Sequence, residues 1–177
     1  MSEVQWPQRA AELRAQGFDA TEGARRLAAL WGDGRLASSV DAKALLRLGE
    51  SLEYAQVGAG RRLIGQHEAG DFMLVLLEGQ VLIERAGAVH GQAPIRLAEA
   101  RAGDVLGEMA LLDGGTRLSA CTTATPCVLG VLRAAALEAL VRDDPRLALA
   151  LMTSLARRLS LRLRHVSTRL SALLSDA

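Results

Sequence analysis

Between Leu52 and Leu132 the apolar residues come in brief runs, each cut short by glycine, proline or charge. The segments Leu52–Gln56, Arg62–Gln66, Phe72–Leu77, Gln80–Arg85, Ile95–Glu99, Ser119–Thr125 and Val128–Leu132 are of strand length, and Val105-Leu106 makes a shorter eighth. Many such runs at regular spacing, separated by glycine-containing turns, point to an antiparallel sandwich or barrel. A weak internal echo supports turns that feed strands: Ala69-Gly70-Asp71 precedes Phe72-Met73, and Ala102-Gly103-Asp104 precedes Val105-Leu106. At 177 residues the chain has room for one full core, because domains usually run about 100 to 200 residues.

The flanks follow a different period. Residues 1–38 read as short helices separated by breakers, Gln8–Gln16 ending at Gly17 and Glu22–Trp31 ending at Gly32-Asp33-Gly34. Ala24, Leu27, Ala28 and Trp31 recur at helical spacing, so the second helix has one apolar face that needs a cover. The expected cover is the following domain, with a partner-docking segment as the alternative, and Trp6 and Trp31 suit either. A third short helix, Asp41–Leu48, opens the body at residues 39–133. Residues 134–177 are helical again, with Ala134–Val141 followed by Asp143-Asp144-Pro145. Asp144 can accept from free helix N–H groups, and Pro145 suits the first helical position, where an amide needs no partner. The last helix should run to about Leu174, with Met152, Leu155, Leu159, Val166 and Leu173 at three-four spacing and Arg162 and Arg169 completing the series. That much apolar surface calls for burial against the body, a second copy, or both.

Hydrophobic residues at 50% and charged residues at 23% mark a globular chain rather than a disordered or collagen-like one. Twenty-one basic against twenty acidic residues give a net charge of +1, so no global field points to nucleic acid or membrane. Six arginines lie between Arg146 and Arg169 with no acid until Asp176, leaving 15 basic against 19 acidic residues in 1–144. Nucleic-acid binding through Arg157, Arg158, Arg162, Arg164 and Arg169 is not expected, because they surround the helix and no aromatic stands among them. Cys121 and Cys127 cannot make a disulfide framework, and with His67, His90 and His165 they show no metal-ligand spacing. No charged start leads into an apolar signal segment, and the longest apolar run, near Phe72–Leu77, is far short of the roughly 18 residues that span a bilayer. A cytoplasmic chain with no membrane contact and no cofactor is expected. No nucleophile, base and orienting group stand together, so an enzyme is not expected either.

The chemistry is concentrated in Gly107-Glu108-Met109-Ala110-Leu111-Leu112-Asp113-Gly114-Gly115-Thr116-Arg117-Leu118-Ser119-Ala120. A short helical segment opening at Glu108 would turn the N–H groups of Met109 and Ala110 toward an anion. Gly107 lets backbone approach a ligand closely, and the small Ala110 leaves room for a phosphate. Arg117, nine residues after Glu108, can return across the loop with a planar, permanently charged fork for phosphate oxygens. An ionised Glu108 only accepts hydrogen bonds, which suits it to sugar hydroxyls. Together these groups describe a sugar phosphate; the competing reading is a plain surface ion pair between Glu108 and Arg117.

Gly107–Leu112 with Arg117 resembles the phosphate-binding cassette of the cyclic nucleotide-binding domain family, represented by bacterial catabolite activator proteins and regulatory subunits of cyclic-AMP-dependent kinases. Gly70-Asp71 and Gly79-Gln80-Val81 resemble its turns, and the likeness covers residues 39–165. It implies an α+β fold, an eight-stranded antiparallel jelly roll flanked by N-terminal helices and a long C-terminal helix. The ligand would be cyclic AMP or cyclic GMP, with Glu108 on the ribose 2′-hydroxyl, Arg117 on the cyclic phosphate, and the amides of Ala110 and Leu118 on its other oxygens. The ligand-binding set expected is Gly107, Glu108, Met109, Ala110, Arg117, Leu118, Ser119 and Arg162.

Three positions depart from the family pattern. Leu118 stands where Ala or Ser usually follows the arginine, with Ser119 one place later, and Leu106 stands where Phe often precedes Gly-Glu. Arg162 and Leu163 fall where activator proteins have hydroxyl residues contacting adenine. Arg162 could stack on a purine or donate to its edge; otherwise it is a solvated arginine on a dimer helix. The implied function is a stand-alone sensor, homodimeric through its C-terminal helix, whose movement signals to a separate effector protein. With seven residues from Ser171 to Ala177 there is no room for a helix-turn-helix, so sequence-specific DNA binding is not expected. The alternatives are a scaffold that kept the sandwich but lost the ligand, and a receptor for cyclic di-GMP.

Overall fold

A computed structural model of the chain describes residues 3–32, 42–87 and 92–175; the boundary expected at 38–39, Asp41 and His90 lie outside them. In chain order the elements are β1 (Glu3–Val4), α1 (Trp6–Leu13), β2 (Gln16–Gly17), α2 (Ala20–Gly32), α3 (Ala42–Glu50), β3 (Glu53–Val57), β4 (Arg62–Ile64), β5 (Ala69–Gly70), β6 (Phe72–Glu78), β7 (Gln80–Arg85), β8 (Ile95–Arg101), β9 (Val105–Leu106), α4 (Glu108–Asp113), β10 (Ala120–Thr123), β11 (Cys127–Arg133), α5 (Ala134–Asp143) and α6 (Pro145–Ser175). All eight segments read as strands in the sequence are strands. Together with β2, which the sequence reading does not include, they form two antiparallel sheets, ordered β4-β10-β7-β8 and β2-β3-β11-β6-β9. The antiparallel expectation fails at one place: β1 pairs in parallel with β5, tying the N-terminus to the turn before β6.

The uninterrupted apolar run of β6 is explained by cover on both faces. Phe72, Leu74 and Leu76 enter the core between the sheets with Leu63, Val81 and Leu129, while Met73, Val75 and Leu77 enter the core beneath the helices. Alternating side chains of one strand thus serve two clusters, which a half-exposed strand cannot do. Full burial of a leucine such as Leu74 or Leu129, both 0% exposed, contributes about 1.5–3 kcal/mol.

The helix-side cluster takes Ala24, Leu27 and Trp31 from α2, Leu45 and Leu48 from α3, Leu140 from α5, and Leu147, Leu151 and Leu155 from α6. The chain therefore covers the apolar face of α2 itself. This corrects the partner-docking alternative, since Trp6 and Trp31 are only 3% and 1% exposed. Trp31 donates its Nε1–H to the Gly103 carbonyl at 3.1 Å, and the Arg158 guanidinium lies 5.2 Å from its ring centre. α6 starts as its sequence requires, with Pro145 first and the Leu147 N–H donating to Asp144 Oδ1 at 3.2 Å. Beyond Leu155 the burial stops: Leu161, Leu163 and Val166 are all more than half exposed. Among the described residues no helix is long and apolar enough to cross a membrane, and no group of His, Cys, Asp and Glu could hold a metal ion.

Candidate ligand-binding site

The chain enters the site from β9 through Gly107, whose φ of +75° is a left-handed conformation that glycine adopts at little cost. A Cβ at that position would lie 2.4 Å from Arg117 Nη1 and 2.9 Å from Ile64 Cδ1. α4 follows with no side-chain cap at its start, and closes at Gly114, whose N–H donates to the Ala110 carbonyl at 3.1 Å. The Gly115 N–H then donates to Asp113 Oδ1 at 2.8 Å, which turns the chain back toward the body. Two backbone bonds clip the returning residue in place: Arg117 N–H to the Glu68 carbonyl and His67 N–H to the Arg117 carbonyl, both at 2.8 Å.

Arg117 points inward and is 4% exposed. Its Nη1 donates to the Gly107 carbonyl, its Nη2 donates to the Phe72 carbonyl at 2.5 Å, and the guanidinium lies 4.9 Å from the Phe72 ring centre. Burial draws its pKa below the ordinary arginine value, while Cys121, Glu68, Asp71 and Glu108 act in the opposite sense. A guanidinium carries five N–H donors, and these two bonds use two of them. Glu108 is also 4% exposed, and its Oε1 accepts from Arg162 Nη1 of α6 at 3.1 Å. The surface ion pair expected as an alternative is thereby corrected: both residues are buried, and each holds a different partner. Burying a charge costs several kcal/mol unless partners are supplied. Two opposite charges, each partly bonded and each with bonding capacity left, mark a place built to receive something polar.

They face one cavity, and all eight residues singled out from the sequence line it: Gly107, Glu108, Met109, Ala110, Arg117, Leu118, Ser119 and Arg162. Leu118 and Met109 are the exposed members, while Arg162 reaches in from α6 with its side chain 55% exposed. Ile64, Ile83, Val105, Leu106, Thr116 and Cys121 complete the lining and were not foreseen. Ile64 and Ile83 lie on strands read correctly from the sequence, but which face of each strand meets the cavity depends on the sheet pairing of β4 and β7 through β10. Burial pushes the Cys121 thiol up to about 12, so it contributes a neutral wall. A second cleft, running along α6 past Asp104, Arg158, Leu161 and His165, shares Val105, Glu108 and Arg162 with the first. An apolar wall with two guanidinium groups, Arg117 and Arg162, and one carboxylate, Glu108, suits a ligand with a ring, an anionic group and a hydroxyl.

The sequence model described as "Cyclic nucleotide-binding domain" matches residues 55–144. A CRP-like cAMP-activated global transcriptional regulator of Mycobacterium tuberculosis is 29% identical over 120 residues, covering 68% of this chain and 53% of that protein. The chain thus spans about half the length of the curated relatives it matches. A cyclic nucleotide-binding domain from Methylobacillus flagellatus superposes with a TM-score of 0.79 at 21% identity, covering 88% of this chain and 86% of that one. The catabolite activator protein of Thermus thermophilus superposes at 0.69 with 24% identity, covering 78% and 62%. At these identities the two superpositions establish likeness of fold.

Proposed function

Because the chain belongs to the cyclic nucleotide-binding domain family, we propose that this cavity binds cyclic AMP or cyclic GMP and that α6 passes its occupancy to a separate effector protein. The supporting observation is the placement of Arg117 and Glu108, buried together on one cavity wall within the matched residues. In this reading the two antiparallel sheets, β2 set aside, are the faces of the family's eight-stranded jelly roll. The remaining Arg117 donors and the amides of Ala110 and Leu118 hold the cyclic phosphate. Glu108 accepts from the ribose 2′-hydroxyl through the oxygen that Arg162 does not use. Arg162, at the junction of the two clefts, meets the base. Bonds to charged groups contribute about 1.5 to 3 kcal/mol each, enough for micromolar affinity, about −8 kcal/mol. The exposed Leu161, Leu163 and Val166 favour pairing of two copies through α6, for which light scattering should return a dimer mass.

Calorimetry with cyclic AMP, cyclic GMP and cyclic di-GMP tests the central point. Binding of either mononucleotide near the micromolar range is expected. If none of the three binds at about 100 µM, a hundredfold above that range, the sensor reading is wrong and the scaffold alternative takes its place.

A further inference from the structure

The segment Gly65–Phe72 is gripped from two sides. From the cavity side Arg117 holds it, by backbone bonds to Glu68 and His67 and by its guanidinium on the Phe72 carbonyl and ring. From the other side it is held by the first residues of the chain. β1 pairs with Ala69-Gly70, and the Trp6 N–H donates to Asp71 Oδ1 at 3.2 Å. The Trp6 ring meets the Phe72 ring edge-on, with centres 5.4 Å apart. Arg9, 7% exposed, places Nη2 2.6 Å from Glu68 Oε2, the same oxygen that accepts from the Gly65 N–H at 2.8 Å. At Gly70 the layers nearly touch: a Cβ there would lie 2.8 Å from Arg117 Nη2 and 3.2 Å from the Val4 carbonyl oxygen.

We propose that residues 3–13 are a positioning brace for the anion-binding arginine, with Trp6 acting through Phe72 and Arg9 acting through Glu68. Arg117 has no acidic side chain bonded to its guanidinium among the described residues; its direction is set by two carbonyls and one ring. Both the Phe72 carbonyl and the Phe72 ring belong to the braced segment, so loosening the brace frees the guanidinium to swing out of the cavity. By linkage, a ligand that holds Arg117 inward must in turn steady α1. The brace rests on the cyclic nucleotide reading only for its effect on affinity; its effect on Arg117 itself is observable without nucleotide.

The test uses the full chain with Trp6→Ala, Trp6→Phe and the milder Glu68→Gln, which keeps an acceptor for Gly65 but removes the charge facing Arg9. The first readout is the Arg117 Nε–H signal in NMR, assigned by its loss in Arg117→Lys. In the wild type it should exchange slowly with solvent; in Trp6→Ala and Glu68→Gln it should exchange faster and shift, while Trp6→Phe restores it. The second readout is calorimetry with cyclic AMP and cyclic GMP. Trp6→Ala should weaken the tighter of the two at least about tenfold, yet change affinity by less than about twofold in the Arg117→Lys background, the non-additivity of coupled residues. A merely structural Trp6 would weaken both backgrounds equally, and that result overturns the brace. So does an unchanged Nε–H signal in Glu68→Gln, the variant that decides if Trp6→Ala fails to fold. If the wild type binds neither nucleotide while the Nε–H signal responds as stated, the ligand assignment has failed and the brace has not.

Discussion

Replacing Arg117 by methionine separates what this residue does for the fold from what it does for a ligand. Methionine keeps an unbranched stem in the apolar wall and removes the charge and its donors. The fold loses two charge-assisted bonds, to the Gly107 and Phe72 carbonyls, worth about 1.5–3 kcal/mol each, and a ring contact with Phe72 worth about 0.5–2 kcal/mol. Against this it is relieved of keeping a guanidinium 4% exposed, whose desolvation penalty is about several kcal/mol. The depressed pKa of Arg117 has the same origin. Mid-range values of these opposing terms leave a net loss of about 2 kcal/mol, which is about 4–8 °C in Tm for a chain of this size. For a bound cyclic phosphate nothing offsets the loss. Leaving one member of a desolvated charge pair unpaired costs about 2–5 kcal/mol, which is roughly 30- to 5,000-fold in Kd. Calorimetry and a thermal melt on the same preparation read both numbers. Unchanged affinity would place the ligand elsewhere, and a fall in Tm several times larger would make Arg117 a structural residue first.

Gly107→Ala should reproduce much of that affinity loss without touching the arginine, because its Cβ would sit 2.4 Å from Arg117 Nη1 and displace it; calorimetry showing wild-type affinity contradicts this. Arg162→Ala should weaken binding by no more than about fivefold, since half-exposed ion pairs contribute about 0.2–1 kcal/mol, while hydrogen exchange along α6 from Arg158 to Val166 accelerates. Alkaline pH should destabilise the protein. Burial raises the thiols of Cys121, to about 12, and of Cys127, and also raises the Tyr54 phenol. The native state therefore holds protons that the unfolded chain releases, so this stabilisation is complete below the unfolded pKa values, about 9 for a thiol, and is lost as pH rises toward the folded ones. Urea midpoints that stay flat from neutral pH to about pH 11 would contradict the burial of these groups.

Local chemistry was readable because it is written in consecutive residues. The apolar runs became strands, Asp144-Pro145 opened α6, and the two ends of the cassette, Gly107–Ala110 and Thr116–Ser119, came together around one cavity. What could not be read joins residues far apart in the chain. Trp6 against Phe72, β1 against β5 and Arg9 on Glu68 all bring the N-terminus to the cassette, and no periodicity in the first residues signals it. Trp6 and Trp31 looked equally suited to a partner, since an aromatic that completes a core and one that docks on another protein have the same sequence signature. The competing reading of Glu108 and Arg117 as a surface ion pair fails for a similar reason. Opposite charges suggested a pair, whereas the fold supplied each with a nearer neighbour.

Those neighbours also bound how much a ligand can move α6. The first half of that helix is fixed by Leu147, Ala148, Leu151 and Leu155, all buried, and Arg158 is held on the Gly103 carbonyl and the Trp31 ring, so any displacement is confined to the part beyond Arg158. That part reaches the cavity wall through Arg162 on Glu108, a contact with one end 55% exposed and the other 5%. Its exposed end lets water screen it, and such pairs contribute about 0.2–1 kcal/mol. Carrying a two-state equilibrium from 1:99 to 99:1 takes about 5.5 kcal/mol of differential binding. The pair alone could therefore shift the helix only severalfold. A full switch needs a second contribution that depends on where the distal helix lies, and the exposed Leu161, Leu163 and Val166 are the apolar surface available for it. It follows that a truncated or monomeric form should bind nucleotide while losing most of the ligand-dependent change in α6. Hydrogen exchange of α6 in a Leu163→Glu, Val166→Glu variant, with and without nucleotide, reads this directly; a ligand response as large as in the wild type would show that the cavity drives the helix unaided.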